Sequence, residues 1–159
     1  PYLDPELSER ARRDLEALGV TVRLNAIVTD VQPDHVMIGE ERVPTRTVFW
    51  AAGNAASPLG RQLGVPVDRA GRVAVEPDLS VPGHREVFVV GDMCAFVEDG
   101  RPIPAVAPAA NQQGTLAGRN ILADLAGRPR ATFRYHDKGD LATIGRHKAV
   151  ARFGGTKLA

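Results

Sequence analysis

Val87-Phe88-Val89-Val90-Gly91-Asp92 is the stretch on which the reading of this chain turns. An apolar run of β-branched and aromatic residues reads as a strand buried on both faces, the pattern of central strands in a parallel sheet. Gly91 at its carboxyl end lets the backbone come close to a ligand. Asp92 adds an ionised acceptor for hydroxyl groups. Ligands of open α/β sheets lie at the carboxyl ends of strands. Taken alone, the pair reads equally well as a solvated turn; the flanking segments give it weight.

Downstream, Asp99-Gly100 marks a turn, and Pro104 to Ala110 leads into a helix with Pro108 in its first turn, where a missing N–H costs nothing. The helix is expected to run to Ala126 and stop at Gly127. Ala109, Ala110, Gly114, Ala117 and Gly118 give it a face for close packing, and Ile121, Leu122 and Leu125 an apolar one. Strands are expected at Thr132 to Tyr135, Leu141 to Ile144 and Ala149 to Phe153, with Gly145 to Lys148 turning between the last two. Upstream, Thr47 to Ala51 reads as another buried strand, ending in Ala51-Ala52-Gly53. A Gly/Pro-punctuated segment runs from Asn54 to Gly83; it holds a small strand at Val73 to Val75 and a loop at Asp78 to Gly83. Ile27 to Gln32 and His35 to Ile38 alternate like hairpin strands about Pro33-Asp34. Before them, Leu7, Ala11, Leu15 and Leu18 predict a helix over Ser8 to Leu18, closed by Gly19 and followed by a strand at Val20 to Leu24.

With 159 residues the chain is long enough for one domain with a core. Hydrophobic residues make up 43% and charged residues 25%, ordinary for a globular protein. The net charge of +1 gives no reason to expect nucleic acid as a partner. The basic residues are nearly all Arg; Lys stands only at positions 138, 148 and 157. Cys94 is the single cysteine, so no intrachain disulfide and no Cys-x-x-Cys pair can form. The four His are scattered without metal-ligand spacing. No stretch is long and apolar enough to cross a membrane, and no signal peptide is evident. The chain begins at Pro1 and shows no Gly-x-Gly-x-x-Gly after a strand, which is the expectation for part of a longer protein.

Four blocks resemble the two-dinucleotide-binding-domain flavoproteins, and within them the type II NADH dehydrogenases, the single-subunit NADH:quinone oxidoreductases. Thr47-Val-Phe-Trp-Ala-Ala-Gly53 is similar to the segment where the chain leaves the NADH domain for the FAD domain. Val87 to Asp92 is similar to the FAD-binding strand. Ala105-Val-Ala-Pro-Ala-Ala-Asn-Gln-Gln-Gly114 resembles the helix start that faces flavin and quinone. Asp137-Lys-Gly-Asp-Leu-Ala-Thr-Ile-Gly-Arg146 with Lys148-Ala-Val resembles the C-terminal strand pair. The resemblance implies an α/β fold: a partial, glutathione-reductase-like FAD/NAD(P)-binding Rossmann-like two-domain fold lacking its N-terminal portion. It assigns residues 1–52 to the NADH domain, 53–127 to the FAD domain, and 128–159 to a strand pair packed on the FAD domain.

The same resemblance implies FAD and NAD as cofactors and a quinone as electron acceptor. Asp92 would accept from the ribitol hydroxyls of FAD, with Gly53 and Gly91 allowing close approach. Ala107 and Ala109 would bring the helix start to the flavin, where a negative charge gains about 0.3–1 kcal/mol. Gln113 would contact the flavin and Gln112 the quinone. Pro108 departs from the family, many of whose members carry Gln there. Lys148 reads as near the flavin or as a solvated turn residue, Cys94 as a small buried residue, and Trp50 as a core or interdomain residue. The lone cysteine argues against the sulfide:quinone and disulfide reductases, which need cysteine pairs. No catalytic protein nucleophile and no metal are expected. The longer protein is expected to be a homo-oligomer, cytoplasmic and peripheral on the inner face of the cell membrane, touching it through a segment absent here. Two other readings stay open: a reductase of the same fold with a ferredoxin-type acceptor, and an inert, self-associating fragment without cofactor.

Overall fold

Pro5 supplies the fixed φ suited to a first helical turn, and the Asp4 carboxylate accepts the Glu6 N–H at 3.0 Å. The first helix, α1, therefore starts ahead of the expected Ser8 and runs Pro5–Ala17. In the computed structural model, which describes residues 4–53, 55–154 and 156–158, it is followed by β1 (Val28–Gln32), β2 (His35–Ile38) and β3 (Glu41–Pro44). Next come a short helix α2 (Leu59–Gln62), then β4 (Val73–Ala74), β5 (Ser80–Val81) and β6 (His84–Phe88). A 3₁₀ turn at Gly91–Met93 precedes β7 (Cys94–Ala95), β8 (Val97–Glu98) and β9 (Arg101–Pro102). The long helix α3 (Ala107–Leu125) leads to β10 (Asp140–Ile144), β11 (Lys148–Phe153) and β12 (Thr156–Leu158). Asn54, where the punctuated segment was expected to begin, lies outside the described residues.

The chain divides into two units, one of residues 1–52 with 139–159 and one of residues 53–138. In the first, β1, β2 and β3 form an antiparallel meander, with Gln32 opposite His35 across the Pro33-Asp34 turn. A second antiparallel sheet is built from β10, β11 and β12. Helix α1 lays Leu7, Ala11 and Leu15 against Ile144, Val150 and Ala142. Asp14 sits on that interface, only 5% exposed. Its carboxylate accepts from Lys148 Nζ at 2.6 Å and Arg10 Nε at 3.1 Å, and the Lys148 bond, ahead of Arg10, holds it below the usual carboxylate range. Lys148 is thus an anchor between α1 and β11.

The second unit closes around Val73, Leu79, Val81, Val89, Cys94, Phe96 and Phe133. Phe96 and Phe133 meet edge to face at 5.1 Å, a favoured aromatic geometry. β4 and β7 pair in parallel, β5 and β6 antiparallel, and β8 and β9 form a hairpin about Asp99-Gly100. The Arg130 guanidinium lies 4.6 Å above the Phe88 ring and bonds Asp78 at 3.0 Å, Asp124, and the Arg85 carbonyl at 2.7 Å. Burial pushes the Cys94 thiol up to about 12, so it stays protonated at neutral pH. Reaction with a disulfide reagent at pH 8 is therefore expected to be slower by at least about tenfold in the folded chain than in urea. Equal rates would place the thiol at the surface.

Several expected strands are not strands. Val20 to Leu24, Thr47 to Ala51 and Thr132 to Tyr135 carry no regular structure. Phe49 is 92% and Trp50 66% exposed, so Trp50 is not a core residue. A strand is a paired object, and no described segment pairs with these three. Phe133 is nonetheless buried, with its N–H on the Pro77 carbonyl at 2.8 Å. The expected strand at Val87 to Val90 is shifted to His84–Phe88 and runs antiparallel to β5; only Val89 of the four apolar residues is fully buried. The expected loop at Asp78 to Gly83 contains β5, and β3 and β12 went unread. Among the described residues β4 with β7 is the one parallel pair, and no helix is long and apolar enough to cross a membrane.

Candidate functional site

After β6 the Val89 N–H still bonds the Leu79 carbonyl at 3.1 Å, and Val90 is extended. The chain then turns sharply at Gly91, whose φ is +67°. A Cβ there would lie 3.5 Å from the Ala110 Cβ, so the left-handed backbone rather than lack of room calls for glycine. The Gly91 N–H donates to Gln113 Oε1 at 2.7 Å, and Gln113 is 3% exposed. One buried amide thus fixes the turn to the second turn of α3. Cys94 N–H closes the turn onto the Gly91 carbonyl.

The turn presents Asp92 outward. Its carboxylate is exposed and makes no hydrogen bond or ion pair among the described residues. Helix α3 begins at Ala107 with no side-chain cap on its N-terminus, Pro108 in its first turn, and Ala109 buried. The backbone dipoles there favour a negative group. Gly91, Asp92, Ala107, Ala109 and Gln113 therefore gather around the first turns of α3 and the 3₁₀ turn facing them. Gly53 stands elsewhere: it opens the second unit with φ +97°, is exposed, and has no described residue within 4 Å of where a Cβ would stand.

Gln112 faces the other way. Its Nε2 donates to the His136 carbonyl at 3.0 Å and its Oε1 accepts the His136 N–H at 2.9 Å. It lines a groove of about 660 Å³ between α3 and the extended segment 131–138, together with Pro108, Leu116 and Phe133. Asn120, unnoticed in the sequence, is 1% exposed and satisfies the Asp78 carbonyl and both backbone groups of Ala131. The signal was present: Ala109, Gln113, Ala117 and Asn120 form one helical stripe, so the two amides on it had to be buried and bonded. No cluster of three or more His, Cys, Asp or Glu among the described residues is arranged to hold a metal ion.

Residues 1–114 match the sequence pattern of the pyridine nucleotide-disulphide oxidoreductases. The chain belongs to that family. Within it, the chain is 43% identical over 173 aligned positions to the type II NADH:quinone oxidoreductase NdhA of Mycobacterium tuberculosis, covering 100% of the chain and 36% of the relative. The type II NADH:quinone oxidoreductase of Staphylococcus saprophyticus is 32% identical over 156 positions, covering 94% and 39%. The chain thus spans a little over a third of the length of the curated relatives it matches. Two solved structures share its fold. An FAD-dependent pyridine nucleotide-disulphide oxidoreductase from Desulfovibrio vulgaris superposes with a TM-score of 0.73 at 22% identity, covering 94% of this chain and 38% of that one. NDH2 from Plasmodium falciparum, in complex with NADH, gives 0.79 at 16%, covering 98% and 48%. The expected fold class, a partial α/β dinucleotide-binding fold, stands.

Proposed function

We propose that this chain is the part of a flavin-dependent NADH:quinone oxidoreductase that completes the FAD site. The observation that carries the reading is Asp92, an exposed carboxylate without a partner among the described residues, held by the Gly91 turn beside an uncapped helix start. Identity of 43% along the whole chain to a type II NADH:quinone oxidoreductase supports it. The residues suit FAD: a carboxylate acceptor for polyol hydroxyls, a glycine turn that brings backbone close, and a helix N-terminus suited to a flavin that gains negative charge. Bound FAD would supply two-electron uptake from NADH and delivery to a quinone. The chain's own residues orient and tune. Gln113 keeps the Gly91 amide in place, Ala107 and Ala109 keep the first helical turn narrow, and Gly53 gives the preceding segment its bend. In this reading residues 1–52 belong to the NADH domain, 53–127 to the FAD domain and 128–159 to the C-terminal strands. The protein is cytoplasmic, peripheral on the inner face of the membrane, and homo-oligomeric.

Gln112 is assigned to the acceptor side, because it lines the open groove while Gln113 lies on the turn side. In the longer oxidoreductase, Gln112→Ala is expected to leave flavin content and flavin reduction by NADH intact and to slow reoxidation by quinone about tenfold, the loss of roughly one hydrogen bond. Stopped-flow measurement of the two half-reactions reads this directly. Slowed reduction by NADH with the quinone step spared would remove Gln112 from the acceptor side.

A further inference from the structure

The groove between α3 and segment 131–138 carries a second message, in its charge. Ala107, Pro108, Asn111, Gln112, Thr115, Leu116 and Arg119 succeed one another at helical spacing, so one wall is a single stripe of α3. From Ala107 to Arg119 that stripe is about 18 Å long. The opposite wall runs antiparallel to it: Gln112 meets His136, and Asn120 meets Ala131. Pro108, Leu116 and the buried Phe133 make the floor apolar. Among the described residues the charged lining groups are Arg119, Arg134 and Lys138, with no Asp or Glu. In a chain with 19 acidic and 20 basic residues, that segregation is marked. Arg134 reaches out to Glu98 at 3.4 Å and Asp99 at 3.7 Å. Arg119 and Lys138 have no hydrogen bond or ion pair among the described residues. They stand toward opposite ends of the groove, Arg119 next to the end held by Asn120 and Ala131, and Lys138 two residues beyond the His136 anchor.

We infer that this groove binds an anionic amphiphile, an alkyl chain with a phosphate or carboxylate head, laid along α3 with its head on Arg119 or Lys138. An apolar floor takes the chain through area burial. An uncompensated cation at the mouth takes the head through a charge-assisted hydrogen bond. A neutral ligand would use the floor and leave both cations idle, so charge on the ligand is the property that discriminates. The groove is the one that Gln112 lines, so the amphiphile would occupy the face assigned above to the quinone and compete with it; the charge preference tested below is a property a neutral quinone does not share.

The test is calorimetric titration of the 159-residue chain with decyl phosphate below its micelle concentration, with decanol and inorganic phosphate in parallel. Decyl phosphate is expected to bind saturably with one site, at least tenfold tighter than decanol, and inorganic phosphate to give no saturable heat at millimolar concentration. The double variant Arg119→Gln, Lys138→Gln, with its circular dichroism unchanged, is expected to lose that tenfold preference and keep the decanol affinity. Leu116→Asp is expected to weaken both alkyl ligands by a similar factor. Equal affinity for decanol and decyl phosphate, a double variant that keeps the preference, or saturable binding of inorganic phosphate alone would each overturn the inference. A decyl-phosphate titration matched by the same chain with Leu116→Asp would place the ligand elsewhere.

Discussion

Asp92→Ala in the longer oxidoreductase is expected to lower FAD affinity by roughly tenfold to a hundredfold, with little change in turnover per bound flavin. A hydrogen bond to a charged acceptor contributes about 1.5–3 kcal/mol, and each 1.4 kcal/mol is about tenfold. The carboxylate has no partner among the described residues, so the substitution subtracts ligand contacts without unpicking the fold. The check is flavin content after gel filtration, with rates normalised to flavin. A variant that keeps full flavin but turns over slowly would mean that Asp92 faces the reacting ring or nothing at all, and the site would have to be redrawn around the turn.

Gly139→Ala is expected to destabilise the β10–β12 unit by about 3 kcal/mol or more, the range reached when a strained φ and a steric overlap coincide. Gly139 has φ +89°, and a Cβ there would overlap the Arg152 carbonyl oxygen and crowd the Phe153 ring. The obstacle is the backbone of β11, which cannot swing aside as a side-chain tip can. Gly154→Ala makes the comparison: its φ is +57°, but no described residue lies within 4 Å of the added methyl. That variant is expected to cost only about 1–2 kcal/mol. Urea unfolding of the two variants separates steric overlap from φ strain, and equal losses would show that the Arg152 carbonyl moves freely.

What the sequence disclosed follows from which signals are local. The β1–β2 hairpin, the start of α3 with Pro108 in its first turn, its stop ahead of Gly127 and the β10–β11 hairpin are each decided by residues close in the chain, and each is present. Val20 to Leu24, Thr47 to Ala51 and Thr132 to Tyr135 have strand-like composition, but pairing is a property of two segments, and the second segment is missing among the described residues. The site divides the same way. Gly91 and Asp92 were visible as a motif, and their placement against α3 depends on the Gln113 bond across 22 positions, which no local pattern reveals. The Arg130 network with Phe88, Asp78 and Asp124 is similarly a long-range object.

The bond between Asp14 and Lys148 spans 134 positions. On a ribosome adding about 5–20 residues per second, α1 emerges on the order of 10 s before β11 exists to cover Leu7. Residues 53–138, which hold a core of their own, are synthesised inside that interval. Closing a flexible loop of 134 positions costs about 4 kcal/mol of chain entropy. The interrupted unit therefore cannot be completed until the chain has passed through the whole of the other one.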